Sequence, residues 1–117
     1  MTGPTPKTRA IVYDRAGLRC EVCGGSAYGG SVHHRRRRGM GGSKRPEINL
    51  PANLLLLCGS GTTGCHGDIE AHRAGAYVDG LLLRENQEPT TTPVQLIYGL
   101  VLLDNDGLWT PTEGTSL

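Results

Sequence analysis

The chain has 117 residues, room for about one domain, with 18 glycines, seven prolines and no phenylalanine, so an ordinary oily core is thin and a cross-link of some other kind would help. No apolar run approaches the roughly 18–20 residues of a membrane span, the longest being Leu54–Cys58, and Met1–Arg9 has no signal-peptide core, which argues for a cytoplasmic protein rather than a membrane or secreted one. The net charge of +1 hides an asymmetry: residues 1–45 carry ten Lys/Arg against Asp14 and Glu21, whereas residues 46–117 carry only Arg73 and Arg84 against nine acids, the pattern of a nucleic-acid-facing half and a solvated half.

Residues 1–7 are polar and broken by proline, and are expected to form a disordered tip. Thr8–Gly17 reads as a short helix capped by Thr8, with Ile11, Val12 and Ala16 inward and Gly17 as its stop. Cys20-Glu-Val-Cys23-Gly24-Gly25 is a tight knuckle, Ser31–Arg35 a short strand and Arg36–Pro46 a basic, glycine-rich loop. Asn53–Cys58 is a compact apolar segment, and Cys65–Arg73 is a short helix anchored by Ile69. Tyr77–Arg84 and Val94–Leu103 are strand-like, separated by the linker Glu85–Pro93, and Asp104-Asn-Asp-Gly107 before Leu108-Trp109 signals a hairpin turn. Tyr98 and Trp109 read as packing residues rather than as platforms for bases.

The cysteines fall as Cys20-x2-Cys23 and Cys58-x6-Cys65, with 34 residues between the pairs. A two-residue gap lets both thiolates of a knuckle point at one ion while nearby amides donate to the sulfurs. The second gap is wide, but its insert Gly59-Ser-Gly-Thr-Thr-Gly64 can fold back and return the second sulfur to the same point. A four-Cys structural Zn²⁺ site is the favoured reading, since nothing suggests the oxidising compartment that two disulfides require, and disulfide bridges or free thiols are the remaining alternatives. The histidines add a second constellation. His33 and His34 are adjacent, so on a strand they point to opposite faces, one toward a metal and the other toward a substrate. His66 follows Cys65 directly, and Glu70, four residues on, shares its helical face as a ligand or a water-holding group, whereas His72 lies nearer the far side.

Taken in order, Arg19-Cys20-x2-Cys23-Gly24, Val32-His33-His34, Gly41-Gly42, Asn53-Leu54, Leu57-Cys58 and Cys65-His66 resemble the HNH nuclease motif, in its zinc-bound subset with two Cys pairs, over about residues 8–76. The stretch from Asn53 to Gly67 is also similar to small HNH proteins of actinobacterial phages. The resemblance implies an α+β chain with a small ββα-metal (HNH, His-Me finger) core at 8–76 and its four-Cys zinc; the acidic, β-rich extension at 77–117, with a C-terminal β-hairpin, lies outside the resemblance and is read as part of the same domain. It assigns His33 and His66 as ligands of one catalytic divalent ion, Mg²⁺ or Mn²⁺, and His34 as the general base. Asn53 becomes the residue that holds that base through backbone or side chain, with Asn49 as a fallback. The family's colicin-type branch has a histidine where this chain has Glu70, so the third ligand stays open between Glu70, His72 and water. It further implies DNA as substrate, a phage terminase as partner, and the host cytoplasm as compartment.

The chemistry agrees with these roles. Phosphodiester hydrolysis needs an activated water and a cation beside the phosphate, and a neutral imidazole near pKa 6.5 can take the water's proton. Arg35, Arg36, Arg37 and Arg38 follow the base directly and, with Lys44 and Arg45 of the basic loop, are the candidate grip on DNA phosphates, positioning a duplex without reading it. Two rival readings remain: a homing or restriction-type nuclease, and a zinc module that binds DNA or protein without cutting.

Overall fold

The computed structural model describes residues 3–37 and 46–112. The first helix, α1 (Pro6–Ala16), begins inside the segment expected to be a disordered tip. Its cap is Thr5 rather than Thr8: the Thr5 side chain accepts from the Thr8 N–H, and Pro6 fills the first turn, where an N–H has no intrahelical acceptor to lose. Gly17 closes the helix in the left-handed conformation, φ 63°, as expected.

Strand β1 (Ser31–His34) pairs antiparallel with β2 (Leu54–Leu57), Ser31 opposite Leu57 and His34 opposite Leu54. All four leucines of β2 are buried, because α1 and α2 (Gly64–Ala71) both pack against it. Two 3-10 turns, Pro46–Asn49 and Pro51–Asn53, lead into β2. Helix α2 anchors through Ile69 and breaks at His72, whose φ of −129° and ψ of 61° are not helical, and α3 (Arg73–Val78) follows.

The strand expected over Tyr77–Arg84 does not form. Tyr77 and Val78 finish α3, and Gly80, at φ 74°, turns the chain so that Leu81, Leu82 and Leu83 are all buried in succession. Three consecutive inward residues are incompatible with the two-residue alternation of a half-exposed strand. This segment instead lies beside the end of β1, with the Leu83 N–H donating to the Arg35 carbonyl at 2.8 Å. The single strand expected over Val94–Leu103 is two, β3 (Val94–Leu96) and β4 (Gly99–Leu103), folded back at Gly99, φ 111°. The Asp104–Gly107 turn is as expected: Asp104 Oδ1 accepts from the N–H groups of Asp106 and Leu108, and β5 (Trp109–Pro111) pairs with β4. Among the described residues the result is a small α+β fold with three α-helices and two antiparallel sheets. Among the described residues no helix is long and apolar enough to cross a membrane.

Buried charge ties the two sheets together. Glu21 is fully buried and takes Arg15 bidentately, at 2.8 Å to each carboxylate oxygen. Glu21 also accepts from the Leu56 N–H of β2 and from the Tyr98 hydroxyl in the β3–β4 turn, at 2.9 and 3.0 Å. Burial, and then the Glu21 carboxylate, push the Tyr98 phenol above its ordinary value, so it stays a donor. Its ring stacks on Trp109 with centroids 4.9 Å apart, so both residues pack as expected. Arg15 also bonds the carbonyls of Pro51 and Leu54, so one ion pair joins α1, the knuckle, β2 and the second sheet. Glu21→Gln removes the charge and leaves Arg15 buried without its partner; the expected loss is about 3–5 kcal/mol, read as a fall in the urea midpoint.

Candidate metal centres

The four cysteines converge. The sulfurs of Cys20, Cys23, Cys58 and Cys65 all lie within 4.8 Å of one another, and none is bridged. The Cys23–Cys58 separation is 3.8 Å, the edge of a tetrahedron whose centre is about 2.3 Å from each sulfur, the usual zinc–thiolate length. Amides point at the sulfurs as a metal-binding knuckle requires: Cys23 N–H to Cys20, Gly25 N–H to Cys23 and Cys65 N–H to Cys58, at 3.4–3.5 Å. Burial alone would raise the Cys20 thiol, but N–H donors of Cys23, Cys58 and Val22 outweigh it and bring it down to about 7. Burial and the crowding sulfurs push Cys65 up, the cost of gathering thiols that a cation would relieve. The four cysteines can therefore hold a structural metal such as zinc.

The wide second gap closes by local geometry. Gly59 and Gly64 face each other at φ 84° and 62°, and a Cβ on Gly64 would lie 2.8 Å from the Gly59 Cα. Between them Ser60 and Thr63 exchange backbone bonds at 3.1 and 3.3 Å, pinching six residues into a tight lobe. The lobe delivers Cys65 to the cluster and starts α2 at the same point, with His66 N–H on the Cys58 carbonyl at 3.2 Å.

A second constellation forms beside β1. One ligand atom each of His33, His66 and Glu70 lie within 4.8 Å of one another. His33 is buried, and its Nε2 meets the Leu81 carbonyl at 2.7 Å. A carbonyl only accepts, so that nitrogen carries the proton and the lone pair is on Nδ1. At His66 the Ser31 hydroxyl donates to the Gly59 carbonyl at 3.1 Å and therefore accepts from Nδ1–H at 2.7 Å, leaving the lone pair on Nε2. Such outer hydrogen bonds are how proteins set the tautomer of a ligating imidazole. Burial lowers His33 to about 4, and burial also lowers His66, so both are neutral near pH 7 and able to ligate. Glu70 meets the guanidinium groups of Arg37 and Arg73 at Oε1, Arg73 at 3.2 Å. His72 stands apart at the α2–α3 break, exposed, its Nδ1 3.2 Å from the Asp68 carbonyl.

His34 points away from His33, and its Nε2 meets Asn49 Oδ1 at 2.8 Å. Asn49, the fallback by spacing, is the residue that grips the imidazole. Asn53 works on the backbone instead: fully buried, it accepts from the Arg36 N–H at 2.8 Å and donates to the Arg36 and Ile48 carbonyls. Together the two asparagines tie His34 and Arg36 to the turns that lead into β2.

The arginine run divides, and the first two of the four residues expected to grip phosphate, Arg35 and Arg36, are buried. Arg35 is fully buried and bonds four carbonyls, of Gly80, Ala52, Pro89 and Thr92, at 2.8–2.9 Å. Arg36 is 2% exposed and faces Glu47 and the Gln87 carbonyl. A guanidinium enclosed in this way is not presented to a phosphate, and both arginines hold main chain together instead. Arg37 is exposed. Arg38, Lys44 and Arg45 lie outside the described residues. Ser31 and Leu81 escaped the sequence reading: a serine hydroxyl and a main-chain carbonyl carry no motif. No family model matches the chain, and no curated protein or solved structure matches it either.

Purified protein is expected to carry one zinc per chain by mass spectrometry, and Cys58→Ser to lose it together with cooperative unfolding, as structural zinc contributes directly to folding.

Proposed function

We propose that this protein is an HNH-type endonuclease that hydrolyses DNA phosphodiester bonds. The observation that carries the reading is the convergence of His33, His66 and Glu70 within 4.8 Å, with both imidazole lone pairs set by outside partners. A divalent ion held there, Mg²⁺ or Mn²⁺ by the resemblance, would stabilise charge on the scissile phosphate and the leaving 3′ oxygen. His34, next along β1, donates Nε2–H to Asn49 and so carries its basic lone pair on Nδ1, from which it takes the proton of the attacking water. Asn49 fixes the ring, and Asn53 fixes the backbone that presents it. By the resemblance alone, the reading extends to a phage protein acting in the host cytoplasm with the large subunit of the terminase.

The test is cleavage of supercoiled plasmid with Mg²⁺, Mn²⁺ or chelator, with and without a terminase large subunit. Wild type is expected to nick only with metal, and His34→Ala to lose about 10²–10⁴ in rate while keeping its zinc. A His34→Ala protein that cuts at the wild-type rate would overturn the base assignment. A wild type that binds DNA but never cuts would make the chain a binding module. The asparagines should separate: Asn49→Ala slows cleavage with the urea midpoint unchanged, whereas Asn53→Ala orphans buried backbone groups and costs about 1–3 kcal/mol of stability.

A further inference from the structure

With Arg35 and Arg36 buried, the proposed nuclease needs other cations to hold its substrate, and the acidic half offers two. Its only two cations, Arg73 and Arg84, converge on one residue, Tyr77. The Arg84 guanidinium carbon lies 4.2 Å from the centre of the Tyr77 ring, and that of Arg73 lies 5.9 Å from it. Arg73 also donates to the Tyr77 hydroxyl at 3.4 Å and to Glu70 at 3.2 Å, and Glu70 is shared with Arg37. The side chains therefore form a continuous row, Arg37–Glu70–Arg73–Tyr77–Arg84, that passes through Glu70, a member of the His33–His66–Glu70 cluster. Arg84 is exposed and has no carboxylate partner among the described residues, so the ring places its charge in solution.

We propose that Arg37, Arg73 and Arg84 are a phosphate-gripping row that lays the DNA backbone across Glu70 and toward the His33–His66 cluster. The inference rests on the nuclease reading and supplies its substrate track. The two Tyr77 arginines cannot be more than about 10 Å apart, a span of roughly three nucleotides at about 3.4 Å per step. Arg84 stacks on the Tyr77 ring, so the ring supports a cation instead of offering a platform to an unstacked base. That favours a duplex backbone over a single strand, and contact without sequence readout. An acidic protein surface is the competing partner. The passage of the row through the ligand cluster favours nucleic acid, because a substrate must cross that point.

The experiment measures binding of a fluorescent DNA duplex by anisotropy in chelator across a salt series, for wild type, Arg84→Gln and Arg84→Lys, with plasmid cleavage assayed on the same preparations. The Arg84 guanidinium lies on the Tyr77 ring and its main chain pairs with Gln87, which a side-chain substitution leaves in place, so its variants should keep the wild-type circular dichroism. Arg84→Gln is expected to weaken binding about five- to tenfold near 0.1 M salt and to reduce the slope of log K against log salt by about 0.9, while Arg84→Lys retains the slope. A wild type that cuts, with an Arg84→Gln that binds and cuts equally well at every salt concentration, would overturn the row and leave the nuclease standing. A wild type that never cuts but shows the Arg84-dependent slope would keep the row and remove the nuclease. Arg84-dependent binding of polyglutamate with none of duplex would assign the row to an acidic protein and overturn the inference.

Discussion

The Arg35 guanidinium is the constraint on which the candidate site depends. It sits one residue beyond His34 and satisfies four main-chain carbonyls drawn from three separate stretches of chain. One of them is Gly80, and the next carbonyl along, Leu81, is the one that sets the His33 tautomer. A buried cation held only by carbonyl dipoles is an expensive arrangement, and burial lowers Arg35 to about 9. In a chain without phenylalanine it does what apolar packing does elsewhere, fixing the segment 80–92 against the hairpin. The C-terminal part is therefore built into the candidate site.

The cysteine cluster solves the complementary problem on the other side. β1 and α2 are separated by a long excursion, yet Ser31 must meet His66 and His33 must face Glu70. Bringing Cys65 onto Cys20, Cys23 and Cys58 fixes where α2 begins, and His66 and Glu70 then follow at one and five residues along that helix. The Gly59–Gly64 lobe makes the wide spacing compatible with that closure. A metal among the four sulfurs would thus position the second centre without touching it.

Two asparagines and four consecutive arginines show how unlike the roles of neighbouring residues are. Asn49 and Asn53 are four residues apart, and one holds an imidazole while the other holds a backbone. Arg35 and Arg36 are structural and Arg37 is on the surface, although composition treats them alike. The charge asymmetry along the chain was real as arithmetic and misleading as geometry: three of the cations in the basic half, Arg15, Arg35 and Arg36, have enclosed side chains, while the two in the acidic half stand together on Tyr77 beside the His33–His66–Glu70 cluster.

From sequence alone one could read the groups whose chemistry depends on residue type and short spacing: the Cys pairs, the His33-His34 dipeptide, Glu70 one turn from His66, the Gly17 stop and the Asp104–Gly107 turn. Each rests on local geometry a few residues long, which is why it survives folding. The helical end of Tyr77, the fold-back at Gly99 and the run Leu81–Leu83 were misread because short apolar stretches have no period that separates strand from buried loop. Only the tertiary structure decided which arginines face solvent, which asparagine meets His34, and that a serine hydroxyl and a leucine carbonyl orient the ligands. Those outcomes depend on main-chain groups brought together from distant parts of the chain, and every residue carries the same main-chain groups.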